Sequence, residues 1–238
     1  DMLDRIDPSV PYSVKENLEV LLNKYSQAFS TGELNLGWTD KVVHTIDTGN
    51  NPPARQAVRK VPLAQRSIID KHIDQQLQQG IIEPAQSAFV ANLVIVKKRD
   101  GSTRCCVDYR SLNLITKRDC YPLPRIDQCL DALGNNNCWF TVCDLRSGYY
   151  QVALAPQDRD KTAFVSHRGL HRYNVLPMGL SNAPSTFQRL MDMVMSGLLF
   201  ETCLVYLDDI IIFSRTLGEH LQRLEEVLQR LVATGLKL

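Results

Sequence analysis

Two aspartates stand side by side at Asp208 and Asp209, between Val205-Tyr206-Leu207 and Ile210-Ile211-Ile212-Phe213. Asp is common in tight turns, so a structural role for the pair is one reading. The flanks argue for another. They would bury most of a hairpin whose two-residue turn is Asp208-Asp209, and two adjacent carboxylates beside an apolar sheet repel unless a cation compensates. Carboxylate oxygens suit a hard ion such as Mg²⁺, which completes its octahedron with water and substrate phosphates. Asp144 ends a further apolar stretch, Trp139 to Cys143, 64 residues before Asp208. Strand pairing could bring it beside the pair. Three such donors could place two metals about 4 Å apart, an arrangement that activates an attacking oxygen and stabilises a leaving one in phosphoryl transfer.

The elements that would position these carboxylates are legible in part. Ser13-Val14-Lys15-Glu16 has capping-box spacing and opens a helical stripe of Val14, Leu18, Leu21, Leu22 and Tyr25. Residues 30–53 read as loop and extended chain, ending in the linker-like Gly49-Asn50-Asn51-Pro52-Pro53. Ile69, Ile73 and Leu77 predict a helix over 65–79 closed by Gly80. Leu93 to Val96 and Thr103 to Val107 flank Arg99-Asp100-Gly101, a hairpin signal. A short helix over 126–133 stops at Gly134, and 139–143 reads as a buried strand. Segments 161–166 and 170–176 make a hairpin around Gly169. Pro184 suits a helix's first turn, and Phe187, Leu190, Met191, Val194, Met195 and Leu198 keep helical period. Residues 203–207 and 210–213 are β-rich runs. Thr216-Leu217-Gly218-Glu219 is a second capping box, leading a stripe of Leu221, Leu224, Leu228 and Leu231 that ends at Gly235. Mixed order with several hairpins points to an α+β fold.

The 238 residues are 44% hydrophobic and 22% charged, an ordinary globular composition that excludes disorder and collagen. The longest hydrophobic run is five residues, Cys203 to Leu207, far short of a membrane-spanning helix. No signal-peptide pattern opens the sequence. Seven cysteines without a C-x-x-C pair read as reduced thiols of an intracellular protein. The net charge of +1 hides a partition: residues 1–54 carry −4, 55–125 carry +7 and 126–238 carry −2. A basic middle beside an acidic remainder fits a chain that grips a polyanion with one region and keeps carboxylates in another. A solvated charged face is the bland alternative.

With these residues in view a resemblance is clear. Segments 140–151 (Phe-Thr-Val-Cys-Asp-Leu-Arg-Ser-Gly-Tyr-Tyr-Gln), 176–188 (Leu-Pro-Met-Gly-Leu-Ser-Asn-Ala-Pro-Ser-Thr-Phe-Gln) and Tyr206-Leu207-Asp208-Asp209 resemble successive reverse transcriptase motifs. Val96-Lys97-Lys98-Arg99-Asp100-Gly101 and Cys106-Val107-Asp108-Tyr109-Arg110-Ser111-Leu112-Asn113 strengthen the match. The ensemble is similar to the Pol polyprotein of gypsy-type long-terminal-repeat retrotransposons over roughly residues 41–238. The resemblance implies a right-hand polymerase fold with fingers at 41–119 and 152–183, palm at 120–151 and 184–238, and the thumb missing. Residues 1–40 would form an N-terminal connector with one amphipathic helix.

The implied activity is RNA-directed DNA polymerisation: a primer 3′-hydroxyl attacks the α-phosphorus of a deoxynucleoside triphosphate on an RNA or DNA template. By the resemblance Asp144, Asp208 and Asp209 are the catalytic metal-binding aspartates for two Mg²⁺, with Mn²⁺ as a substitute. Lys97 and Arg104 hold the triphosphate, and Lys98 replaces Lys97 if the register slips by one. Tyr149 is the sugar gate, Met178, Gly179 and Gln188 lie near the nucleotide, and Arg110 contacts the template. Without the match these would be solvated cations, aromatic strand residues, a polar residue near a helix start and a surface ion pair with Asp108. Met178 stands where relatives usually carry Phe or Gln, and Ala88 and Asn92 where they usually carry Pro. Implied partners are primer–template, deoxynucleoside triphosphates and other segments of a Pol polyprotein, with no membrane. The implied location is the cytoplasm, in virus-like particles. Asp1 in place of Met suggests a piece of a longer chain. A non-catalytic nucleic-acid-binding or assembly remnant of a retroelement is the alternative.

Overall fold

The computed structural model describes residues 7, 10–32, 34–97, 101, 103–134 and 136–238. Lys98, Arg99 and Asp100, and with them most of the expected fingers turn, lie outside the described residues. In chain order the elements are α1 (Tyr12–Lys24), β1 (Thr39–His44), α2 (Leu63–Gln78), β2 (Ile82–Pro84), β3 (Ala91–Lys97), β4 (Thr103–Val107), α3 (Arg110–Ile115) and α4 (Ile126–Leu133). There follow β5 (Trp139–Asp144), β6 (Val152–Leu154), β7 (Phe164–Ser166), β8 (Gly169–Tyr173), α5 (Ala183–Val194), β9 (Cys203–Tyr206), β10 (Asp209–Ser214) and α6 (Leu217–Thr234). The mixture is α+β, as the sequence pattern predicts.

Two compact units emerge, one of Asp1–Thr31, Leu123–Arg146 and Met191–Leu238, the other of Gly32–Pro122 and Ser147–Leu190. In the first, an antiparallel sheet runs β5-β10-β9. Helix α6 packs on β10, burying Leu224, Val227, Leu228 and Leu231. Its start is capped by Thr216, whose Oγ1 accepts from Glu219 N at 3.3 Å, while the Glu219 carboxylate reaches back past the cap to accept from Arg215 N at 3.1 Å. Its end is Gly235 at φ +75°, a left-handed cap that costs glycine little. His220 joins helix to sheet, with Nε2 2.8 Å from Thr141 Oγ1 and Nδ1 3.0 Å from Ser214 Oγ. Two expectations fail here. Helix α1 begins at Tyr12 behind Pro11, which takes the N-cap place in an extended conformation (φ −57°, ψ 148°), so Ser13 falls inside the first turn and caps nothing. Strand β5 is not buried. It is an edge strand whose Phe140 and Val142 are 51% and 65% exposed, because only its other face, with Trp139, Thr141 and Cys143, is partly covered.

The second unit holds a five-stranded sheet, β2-β8-β7-β3-β4, and a parallel pair, β1-β6. Helix α2 starts two residues earlier than periodicity suggests, behind Pro62, and buries Ile69 and Ile73. Phe164 and Tyr173 anchor the core with ring centroids 5.5 Å apart. Asp158 accepts from Ile46 N at 2.9 Å and from Lys161 Nζ at 2.7 Å, which pins the chain after β1. The six-residue α3 was invisible to periodicity, since Leu112 alone is buried. All seven cysteines are free thiols. Among the described residues no helix is long and apolar enough to cross a membrane.

Candidate active site

The carboxylates meet in the first unit. Strand β10 pairs with β5 so that Asp209 stands opposite Asp144, and with β9 so that it also stands opposite Tyr206. Directly opposed antiparallel residues share a face, so both carboxylates emerge on one side of the sheet. The register corrects the expected turn by one residue. The two loop residues are Leu207 and Asp208, while Asp209 opens β10. Leu207 has φ +55°, a strained backbone for a side chain of that size at a position hairpins usually give to glycine. Asp208 is half-buried, with Oδ1 shut off from solvent. The Asp144 carboxyl titrates above the ordinary Asp range, first because of partial burial and second because of the charge of Asp209. This mutual repulsion is an attraction in waiting for a cation.

The remaining site residues lie in the second unit. Strands β3 and β4 pair Lys97 with Thr103 and Val96 with Arg104, so Lys97 and Arg104 emerge on opposite faces of that ribbon. Arg104 rests its Nη2 on the Met178 sulfur. Gly179 holds φ +94°; a Cβ there would sit 3.6 Å from the Tyr109 ring and 3.7 Å from Val107 O, ordinary contacts, so the backbone conformation and not space demands glycine. Tyr149 is half-buried, its ring 5.1 Å from that of Phe187. Gln188 is buried within α5, one residue beyond Phe187. Arg110 forks onto Asp108, with Nε to Oδ1 at 2.8 Å and Nη2 to Oδ2 at 2.7 Å. Those bonds hold the Asp108 carboxyl at about 2.

Two asparagines that motif reading passed over organise the loop carrying Met178 and Gly179. Asn113 donates to Gly179 O and accepts from Ser181 N, both at 2.9 Å. Asn182 accepts from Asp119 N at 3.1 Å and donates to Lys117 O at 2.7 Å. A side-chain amide carries both donor and acceptor, so each Asn stitches two backbone groups that no strand pairs. Neither position has a local signal in sequence, because the partners are more than sixty residues away.

The family model described as "Reverse transcriptase (RNA-dependent DNA polymerase)" matches residues 96–238, over half of the chain and all three aspartates. The chain belongs to the reverse transcriptase family. It is 39% identical over 229 residues to the retrovirus-related Pol polyprotein from transposon 297 of Drosophila melanogaster, covering 93% of this chain and 21% of that protein. Identity to the Pol polyprotein from transposon gypsy of the same organism is 34% over 238 residues, 98% of this chain and 23% of the relative. The chain thus spans about a fifth of the length of these relatives. The native prototype foamy virus protease-reverse transcriptase superposes with a TM-score of 0.85 at 26% identity, over 99% of this chain and 31% of that one. The foamy viral enzyme in complex with an RNA/DNA hybrid gives 0.84 at 25% identity, over 96% of this chain and 31% of that one. These matches support the polymerase reading over that of a non-catalytic remnant.

For a reverse transcriptase, the donor set is chemically apt: oxygens alone, two carboxylates opposed on one face and a third adjacent in the turn. Among the described residues no three such side chains converge closely enough to hold an ion as they stand. Asp144 and Asp209 form the opposed pair, and Asp208 is the side chain that must join them.

Proposed function

We propose that this reverse transcriptase chain supplies the fingers and palm of an RNA-directed DNA polymerase, with the subdomain limits that the motifs imply. The observation that carries the reading is the register that opposes Asp209 to Asp144 beside the Leu207-Asp208 turn. The reaction joins a primer 3′-hydroxyl to the α-phosphorus of a deoxynucleoside triphosphate and releases pyrophosphate. Divalent cations, Mg²⁺ or Mn²⁺, held by Asp144, Asp209 and Asp208 would act as Lewis acids toward the phosphate oxygens. The protein's own groups do the rest. Arg104 presents a guanidinium fork to the triphosphate, releasing Met178 to do so, whereas Lys97, on the opposite face of the β3–β4 ribbon, would add its charge only by reaching around the end of the strand. Tyr149, backed by Phe187, bars a 2′-hydroxyl. Gly179, held by Asn113, offers backbone where a side chain would be strained, and Gln188, buried in α5, is assigned to the same nucleotide by the family resemblance. Arg110 meets the template. The work would take place in the cytoplasm, within virus-like particles, as part of a longer Pol chain.

The deciding experiment is Mg²⁺-dependent deoxynucleotide incorporation by the chain within its Pol polyprotein context, with Asp208→Asn as control. Loss of incorporation by about a thousandfold is expected for removal of a charge that stabilises the transition state. Incorporation unaltered by the substitution would reject the carboxylate assignment.

A further inference from the structure

In the second unit, helix α2 turns Ile69, Ile73 and Gln76 to the core, at spacings that put all three on one helix face. The third position calls for an apolar side chain. Gln76 is only 3% exposed, and a buried amide costs stability unless its hydrogen bonds are met. Its Nε2 donates to Tyr150 Oη at 3.1 Å, while its Oε1 has no hydrogen-bond partner among the described residues. Packing alone would select against such a residue. Its side-chain bond runs instead to the neighbour of Tyr149.

Tyr149 and Tyr150 share a single turn of 3₁₀ helix, Gly148–Gln151, entered through Ser147 in the left-handed conformation at φ +50°. Such a backbone persists only where its surroundings over-determine it. Within the turn Tyr150 N donates to Ser147 O at 2.8 Å and Val152 N donates to Tyr149 O, but one turn of helix is not stable by itself. Successive side chains of a 3₁₀ turn point about 120° apart, so the two rings are separate handles on one short backbone. The Tyr149 ring leans on Phe187, with centroids 5.1 Å apart. The Tyr150 ring stacks on that of the buried Tyr173 at 6.0 Å, and its hydroxyl meets Gln76. Stacked rings can slide over one another, whereas a hydrogen bond has a direction and a length, so the Gln76 bond limits how far the turn can shift along the stack.

We propose that Gln76 is a positioning residue for the sugar gate: its bond to Tyr150 fixes the turn that carries Tyr149, so discrimination against ribonucleotides depends on α2 as well as on the gate itself. A gate that rejects one extra oxygen must stand within about an ångström of its place, because misplacement of that size is costly. The inference rests on the reading of this chain as a polymerase gated by Tyr149.

Gln76→Leu removes the amide at similar side-chain size, and Tyr150→Phe removes the hydroxyl while keeping the ring against Tyr173. Primer extension by each variant in its Pol polyprotein context, with deoxynucleotides and ribonucleotides in turn, gives kcat/KM for both. Each variant should lower the deoxy-over-ribo ratio about fivefold, the worth of one net hydrogen bond, by gaining ribonucleotide use and not by losing deoxynucleotide use. The double variant should lose no more than either single one, because both delete the same bond. Calorimetry should find Gln76→Leu at least as stable as wild type, since an amide with an unpaired acceptor gives way to an apolar side chain. A wild-type ratio in either single variant, additive losses in the double one, or equal loss of both nucleotide classes with a lowered Tm overturns the positioning role. Hydrogen exchange adds a readout that needs no activity: amides of residues 148–152 should exchange about fivefold faster in either variant, and unchanged protection there also overturns it. Tyr149→Ala separates the two readings. If that chain keeps wild-type selectivity the gate itself is wrong, whereas selectivity lost there and kept in Gln76→Leu removes the positioning role alone.

Discussion

Replacing Asp209 with Asn should stabilise the metal-free chain while abolishing its response to Mg²⁺. Opposed residues in an antiparallel pair have Cα atoms roughly 4.5–5.5 Å apart. Two carboxylates about 5 Å apart repel by about 0.8 kcal/mol in a water-like dielectric and about 3 kcal/mol at an effective value of 20. Asp144 and Asp209 are both exposed, so solvent screening selects the lower figure. For a chain of this length about 0.8 kcal/mol raises Tm by roughly 2–3 °C. The sign follows from linkage. The folded Asp144 pKa is raised, so the folded state holds that proton at higher pH than the unfolded chain does. This stabilises folding at low pH, and the benefit is lost as pH rises from the ordinary Asp value through the raised one. Above that window the repulsion is fully expressed, and Asp209→Asn removes it. Mg²⁺ at ten times its dissociation constant should stabilise wild type by about 1.4 kcal/mol, or roughly 3–5 °C, and the variant scarcely at all. Scanning calorimetry at pH 7 with and without Mg²⁺ measures both. A variant with unchanged or lower metal-free Tm, or with the wild-type Mg²⁺ shift, would refute the account of opposed carboxylates awaiting a cation.

Tyr149→Ala should raise ribonucleotide use relative to deoxynucleotide use by about 10- to 100-fold, whereas Tyr149→Phe, which keeps the ring against Phe187, should leave selectivity alone. Competition between the two nucleotide classes in primer extension measures this, and unchanged selectivity in the alanine variant removes Tyr149 from the gate. His44 is buried with Nδ1 2.7 Å from Thr186 Oγ1, and burial lowers its pKa from 6.5 to about 4. Below pH 6.5 the unfolded chain takes up a proton that the folded one refuses, so stability should fall by about 2 kcal/mol between pH 7 and 5 and about 3 kcal/mol by pH 4. Urea titrations across that range should show a shallower fall for His44→Gln; identical profiles would place the acid sensitivity elsewhere.

Local signals in the sequence determined a good deal. The Thr216 cap, the glycine stop at Gly235 and the apolar stripe of α5 as far as Val194 emerge as written, while Met195 and Leu198, though buried, lie beyond the helix. Helix faces and caps depend on neighbours a few residues away. Motif order likewise singled out Asp144, Asp208 and Asp209. What local pattern could not supply was pairing. Turn chemistry alone put both adjacent aspartates in the loop; the β9–β10 register moved Asp209 into the strand and made it the partner of Asp144. An edge strand and a central strand share one apolar alternation, so nothing in residues 139–143 announced that Phe140 and Val142 would face solvent. Asn92, Asn113 and Asn182 look like polar residues of no consequence until the fold delivers distant backbone groups to their amides. Short-range periodicity thus decided the kinds of element and the chemistry they carry. Only tertiary structure decided which side chains meet, because hydrogen-bond register between remote segments is a property of the whole folded chain and not of any stretch within it.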